Sequence, residues 1–308
     1  MLDPDPLIPT ARAKQSERSA MRIHAVIATT GRPDIVKRVV SRLGAQSRPP
    51  DGVLVVGASP EDIAGLDGTL DNLEILVSRR GLCRQRNAAL DHLGDHTDVV
   101  AFFDDDFVPA DDFLARLETL LSEQTDVVGA TGILVADGAQ SQPIDFDDAV
   151  NRLDHSGDRP TPNKNDCVSL YGCNMAIRLS AAAGLRFDEK LPLYGWQEDV
   201  DFTHQLSWRG RLVKTSELTG VHMGARSGKT SGKRLGYSQI ANVVYLWRKG
   251  TMCPWLGERL LFQNIVSNVV RSLWPEHDID RRGRLVGNLL ALRDLMKGTI
   301  DPERIEAL

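Results

Sequence analysis

Between residues 23 and 104, apolar runs of strand length alternate with segments that carry one apolar stripe, and this alternation limits the fold more than any other feature of the chain. The runs are IHAVIAT (23–29), GVLVVG (52–57), LEILV (73–77) and DVVAFFD (98–104). Between them lie PDIVKRVVSRL (33–43), PEDIAGL (60–66) and GLCRQRNAALDHL (81–93). A mainly apolar run suits a strand covered on both faces, and a striped segment suits a helix lying on the sheet. The pattern predicts an α/β fold with a mostly parallel, Rossmann-like sheet flanked by helices. In the first striped segment Val36, Val39, Val40 and Leu43 recur at helical spacing. Pro33 precedes them where a missing N–H costs little.

A chain of 308 residues, 42% hydrophobic and 26% charged, can bury one large domain with a smaller appendage. Residues 1–20 lack apolar periodicity and read as a flexible arm, so the main domain is expected over 21–224. The polar stretch 137–166 reads as a long loop over the mouth of the sheet. Strand character resumes at 167–180, and EDVDFTHQLSWRG (198–210) reads as a helix that stops at Gly210. The basic, Gly-rich segment 225–236 reads as a mobile loop, and 237–308 as a C-terminal helical extension. A net charge of -5 gives no general affinity for nucleic acid. Four cysteines without C-x2-C spacing signal neither a zinc ribbon nor a disulfide framework. The N-terminus has no signal-peptide pattern and no stretch has spanning length, so a cytoplasmic protein is expected.

Asp104, Asp105 and Asp106 follow an apolar strand, which puts them at the carboxyl edge of the sheet, where open α/β folds bind ligands. Clustered carboxylates repel one another, and a cation relieves that repulsion. Oxygen ligands suit Mn2+ or Mg2+, which in turn suit a diphosphate. A solvated acidic turn is the plain alternative. A second acidic group, Glu198, Asp199 and Asp201, opens a predicted helix, where carboxylates also complement the helix dipole. The functional reading is a general base beside an acceptor hydroxyl.

The ordered set TTGR (29–32), RGLCRQRNAAL (80–90), FFDDDFVP (102–109), GCNMAIR (172–178) and GWQEDVDF (195–202) resembles the inverting family 2 glycosyltransferases of the GT-A fold, in particular bacterial polysaccharide-biosynthesis members. The resemblance covers about residues 22 to 224. It implies a nucleoside-diphosphate-sugar donor and a saccharide or lipid-linked saccharide acceptor. It also implies Asp106 as the direct metal ligand, with Asp104 and Asp105 on the ribose or sugar side. Asp199 would then be the base, with Glu198 orienting acceptor or sugar. Thr29 and Arg32 match the segment near the nucleotide base, Arg86 and Asn87 a basic pair beside the donor, and His222 a further metal ligand. A structural histidine is the alternative for His222.

One departure is informative. Relatives carry an acid at the end of the second strand, whereas this chain has Gly57 and Ala58, so the identity of the base stays open. The segment ARSGKTSGKRLG lacks P-loop spacing. As a lid it would bring Arg226, Lys229, Lys233 or Arg234 onto the diphosphate; as a linker it would only be solvated. In 254–274, Leu260, Leu261, Ile265, Val269 and Leu273 form an apolar stripe beside Arg259 and Arg271, with Trp255 and Trp274 near the ends. It would pack on the catalytic domain or in a homo-oligomer, or lie on the inner face of the cytoplasmic membrane. The rival readings are a sugar-phosphate nucleotidyltransferase and a non-enzymatic regulatory module with an acidic pocket.

Overall fold

A computed structural model describes residues 21–139, 142–155, 163–225, 231–274 and 279–308. The predicted arm at 1–20, and Arg226 and Lys229 of the predicted lid, lie outside these residues. Strands β1 (Ile23–Thr29), β2 (Gly52–Gly57), β3 (Leu73–Val77) and β4 (Val99–Asp104) form the parallel half of one sheet in the order β3-β2-β1-β4. Helix α1 (Pro33–Gly44) links β1 to β2, a short 3-10 turn at Pro60–Ile63 leads towards β3, and α2 (Leu82–Leu93) returns the chain to β4. After stepping outward from β1 to β3, the strand order reverses to β4 on the other side of β1. The carboxyl ends of β1 and β4 flank this reversal, the usual ligand crevice of an open sheet.

Beyond Asp104 the sheet departs from the parallel expectation. It continues with β5 (Phe107–Pro109), β6 (Val127–Asp137), β7 (Lys164–Asp166), β8 (Asn174–Arg178) and β9 (Arg211–His222). Strand β8 is antiparallel to both β4 and β6, β6 is parallel to β9, and β5 and β7 are antiparallel to β9. An antiparallel neighbour does not need a covering crossover helix, so this half leaves a weaker trace in sequence periodicity.

Helices α3 (Phe113–Glu123) and α5 (Glu198–Ser207) complete the packing on the two faces of the sheet. One core joins Val36, Val39, Val40 and Leu43 of α1 to Phe103, Phe107 and Phe113; the other joins Leu90 of α2, Phe102, Phe187 and Phe202. The stretch 137–166 is not one loop. It contains α4 (Phe146–Asp154), whose N-cap Asp145 accepts the N–H of Asp147. Its Phe146, Ala149, Val150 and Leu153 pack on Val108, Val221 and Met223. Helix α5 ends at Ser207, before the expected stop at Gly210.

The C-terminal helices are α6 (Gly232–Lys249), α7 (Pro254–Leu273) and α8 (Arg281–Met296). Residues 232–236, expected in a mobile loop, form the first turn of α6, and the Ser231 hydroxyl accepts the Arg234 N–H. The glycines there serve a helix crossing. A Cβ on Gly236 would lie 2.0 Å from the Arg284 carbonyl oxygen of α8, and one on Gly287 would lie 2.1 Å from the Lys233 carbonyl oxygen. Among the described residues, no helix is long and apolar enough to cross a membrane.

Candidate active site

Sheet register assembles a set of carboxylate and imidazole groups. In β9, His222 pairs with Phe107 of β5 on one side and with Asp137 of β6 on the other. The turn at Asp106 therefore lies beside the imidazole. His222 Nε2 is 3.3 Å from an Asp106 oxygen and 3.9 Å from an Asp104 oxygen, and Nδ1 is 3.0 Å from Asp137. One ligand atom from each of Asp104, Asp106 and His222 lies within 4.8 Å of the others. Two oxygens and an imidazole nitrogen suit Mn2+, and a carboxylate on Nδ1 fixes the tautomer that offers Nε2 to a metal. The residues fit a divalent ion.

The three aspartates do different jobs. Asp104, expected on the ribose or sugar side, joins the cation set. Asp105, also expected there, is held inside the protein: it accepts from the Thr29 hydroxyl at 2.8 Å and from Arg32 Nη1 at 2.5 Å. Burial pushes its carboxyl up to about 7, against the pull of Arg32. Asp106 moves the other way. Burial opposes ionisation, but the His222 hydrogen bond and charge, Arg32 and the Ala225 N–H together hold its pKa below the ordinary value. Gly224, at φ +68°, turns the chain so that Ala225 N reaches Asp106 Oδ2 at 2.7 Å. Burial alone would lower His222, yet its bonds to Asp106 and Asp137 raise it to about 10.

Arg86 connects this cluster to the start of α5. Its buried guanidinium donates from Nη1 to Glu198 Oε1 at 2.5 Å, and from Nη2 to Asp104 at 3.3 Å and the Gly172 carbonyl at 2.8 Å. Gly172 also donates its N–H to Asp199 Oδ2 at 2.9 Å. A Cβ on Gly172 would meet Glu198 Oε1 at 3.1 Å and Asp199 Oδ2 at 3.2 Å, so glycine lets both carboxylates approach one backbone position. Burial raises Glu198 to about 8 despite Arg86, and it raises Asp199 as well. Arg86 and Asn87, expected as a basic pair beside the donor, are not on the cavity wall. Arg86 braces the carboxylates. The Asn87 amide bonds the backbone of Phe187 and the Glu189 carboxylate, which ties α2 to the segment before α5.

A cavity of about 410 Å³ opens on the cluster, within the size range of small-molecule sites. Thr29, Arg32 and the three aspartates line one side. Arg80, Tyr194 and Trp196 also line it, with Arg234 and Gln239 from α6 and Arg284 from α8. The C-terminal helices thus contribute cations to a wall of the same cavity. Sequence reading missed Asp137, Arg284 and Gln239. Asp137 ends an apolar strand as Asp104 does, which is a usable signal; Arg284 and Gln239 sit in ordinary helices and carry none. The acid absent at Gly57 and Ala58 reappears as buried Asp62, which accepts N–H bonds from Gly31 at 2.6 Å, Ala58 at 3.0 Å and Ser59 at 2.9 Å.

Solved structures of glycosyltransferases share the fold of this chain. The chain matches a mannosyltransferase from Pyrobaculum calidifontis in complex with GDP-Man and Mn2+, at 17% identity and TM-score 0.56, over 94% of this chain and 86% of that one. It matches S. aureus TarS in complex with UDP-GlcNAc at 17% identity and TM-score 0.54, over 94% and 84% of the two chains. A third match is GalNAc-T7 with UDP, GalNAc and Mn2+, at 12% identity and TM-score 0.52, over 84% of this chain and 59% of that one. The chain has the GT-A fold. No family model and no curated protein matches the sequence.

Proposed function

We propose that this protein is a metal-dependent, inverting glycosyltransferase of the family 2 type. It moves a sugar from a nucleoside-diphosphate-sugar to a hydroxyl of a saccharide or lipid-linked saccharide in polysaccharide biosynthesis, on the cytoplasmic side of the membrane. The observation that carries this reading is Arg86, one guanidinium shared by Asp104 of the cation set and Glu198, which adjoins Asp199. A leaving-group site and a base site are thereby mechanically joined. Asp104, Asp106 and His222 would hold Mn2+ or Mg2+, which when bound supplies positive charge to the departing diphosphate.

Asp199 takes the proton of the acceptor hydroxyl on a carboxylate oxygen as that oxygen bonds the anomeric carbon. The bond from that carbon to the diphosphate breaks on the opposite face, so configuration inverts and no covalent enzyme intermediate forms. Burial lifts the Asp199 pKa, which makes it a better base than an exposed carboxylate. Arg86 and Glu198 hold the first turn of α5 against the cluster. Arg32 and Thr29 fix Asp105 behind it, and Arg234 and Arg284 bring positive charge to the diphosphate.

Asp62 argues against the nucleotidyltransferase reading. Its carboxylate already takes the N–H of Gly31, which a phosphate-cradling loop after β1 would need, and it ties that loop to Ala58 and Ser59 after β2. The deciding experiment has two parts. A panel of nucleotide sugars is screened for slow Mn2+-dependent hydrolysis, and Asp199→Asn is assayed with the active donor. Loss of turnover with intact Mn2+-dependent nucleotide binding is expected; unchanged turnover in Asp199→Asn overturns the mechanism.

A further inference from the structure

Helix α7 has two apolar faces. The inner one, Leu260, Leu261 and Ile265, packs on the cores beneath α6 and α8. The outer one has no partner among the described residues: Trp255, Phe262, Val266, Val269, Val270 and Leu273 are all exposed, Phe262 at 70% and Leu273 at 67%. At 3.6 residues per turn these six positions fall on one stripe roughly 100° wide. The amphipathic stripe expected from the sequence is therefore divided, since its first half is inward and Val269 and Leu273 belong to the outer face.

Helix α8, which packs beside α7, repeats the pattern. Arg282, Val286, Leu289, Arg293 and Met296 are exposed and share one face by the same spacing. On the opposite side of α8, Arg284 lines the cavity and Gly287 abuts α6. One helix therefore separates the candidate active site from an apolar outer surface. The charges on that surface are one-sided. The exposed charged side chains on or beside the two outer stripes are Arg259, Arg282 and Arg293 against Glu258, in a chain whose net charge is -5; by the same spacing Arg271 lies on the opposite side of α7.

We infer that the outer faces of α7 and α8 dock on a lipid bilayer that carries anionic phospholipid headgroups. Aromatic and aliphatic side chains interleaved with arginine suit the boundary between headgroups and acyl chains, where the apolar groups leave water and the guanidiniums meet phosphate. Neither helix crosses the bilayer. A second copy of the chain is a poorer occupant, because a two-fold contact through this face would set its arginines against one another. Docking puts the cavity wall formed by α8 one helix away from the lipid surface.

The surface stands independently of the transferase reading, and the test separates the two. The full chain is sedimented with phosphatidylcholine vesicles, with and without phosphatidylglycerol, and Mn2+-dependent nucleotide binding is measured on the same samples. Pelleting with the anionic vesicles only, reversed by high salt, is expected. Phe262→Ser with Leu273→Ser should weaken vesicle binding about tenfold or more. Arg282→Glu with Arg293→Glu should abolish the preference for phosphatidylglycerol. Both variants should keep the parent melting temperature and nucleotide binding. The proposal is overturned if the parent chain stays in solution with anionic vesicles at low salt, or if both folded variants bind them as the parent does. It is also overturned if Phe262→Ser with Leu273→Ser dissociates a dimer, since a second copy then covers the face. Vesicle binding without nucleotide binding would sink the transferase reading alone.

Discussion

Arg86 and Glu198 form a buried ion pair at 2.5 Å, with side chains only 2% and 5% exposed, and Arg86 reaches Asp104 from the same guanidinium. Removing the arginine leaves buried carboxylates without their counter-charge. Arg86→Met should destabilise the protein by about 3–5 kcal/mol, read as a lower urea midpoint. Glu198→Gln should cost less, because the amide oxygen can still accept from Arg86, whose charge also faces Asp104. Equal midpoints for Arg86→Met and the parent would show that the pair contributes no net stability.

Asp137 touches no proposed substrate, yet it should govern metal affinity. Its carboxylate holds His222 Nδ1 at 3.0 Å and thereby presents Nε2 to the cation set. Asp137→Asn should weaken Mn2+ binding about 10- to 100-fold in calorimetric titration. His222→Ala should weaken it further, and an unchanged affinity in both variants would remove His222 from the ligands.

The raised pKa of His222 gives metal binding a direction with pH. In the metal-free protein, Asp106 and Asp137 outweigh burial and lift the imidazole from 6.5 to about 10. A pKa raised by folding contributes stability that is fully present below pH 6.5 and lost as pH rises through 10. Coordination through Nε2 displaces that proton, so Mn2+ affinity should climb across the same interval, by up to about tenfold per pH unit. Titrations in buffers of different ionisation enthalpy should report the released proton. Affinity independent of pH would contradict this assignment.

Gly236 makes the crossing of α6 and α8 possible. A methyl group there meets the Arg284 carbonyl oxygen at 2.0 Å, and backbone cannot swing aside as the end of a side chain can. Gly236→Ala should cost about 1–3 kcal/mol in thermal or urea denaturation, despite the better helix propensity of alanine. It should also weaken donor binding, since Arg234 and Arg284 reach the cavity from these two helices. A stabilised variant would show that the helices can separate without strain.

The parallel half of the sheet was legible because β1, β2 and β4 are covered on both faces. Their apolar runs stand out, and the strands occupy 23–29, 52–57 and 99–104, close to the runs themselves. The aspartate triplet was legible for the same reason, as polar residues ending a buried strand. How the three divide their work was not, because Thr29 and Arg32 reach Asp105 only through the folded sheet. The glycines of 232–236 resembled a loop, since the carbonyl of Arg284 that demands Gly236 lies far along the chain. Helix α4 was hidden by its exposed acidic face, although Phe146, Ala149, Val150 and Leu153 keep helical spacing.

The two halves of the cation set come from opposite ends of the sheet's construction, Asp104 and Asp106 after β4 and His222 at the end of β9. Strand β9 can present His222 only after pairing with β5 and β6 in register. A nascent chain that has emerged only through Asp106 has the acidic triplet but not His222, and is expected to hold divalent ions no better than any acidic turn. If Asp104, Asp106 and His222 hold Mn2+, tight capture waits for β9, and the bound ion would mark completion of the sheet. Pulse-labelled chains stalled before and after β9 would differ in metal retention accordingly.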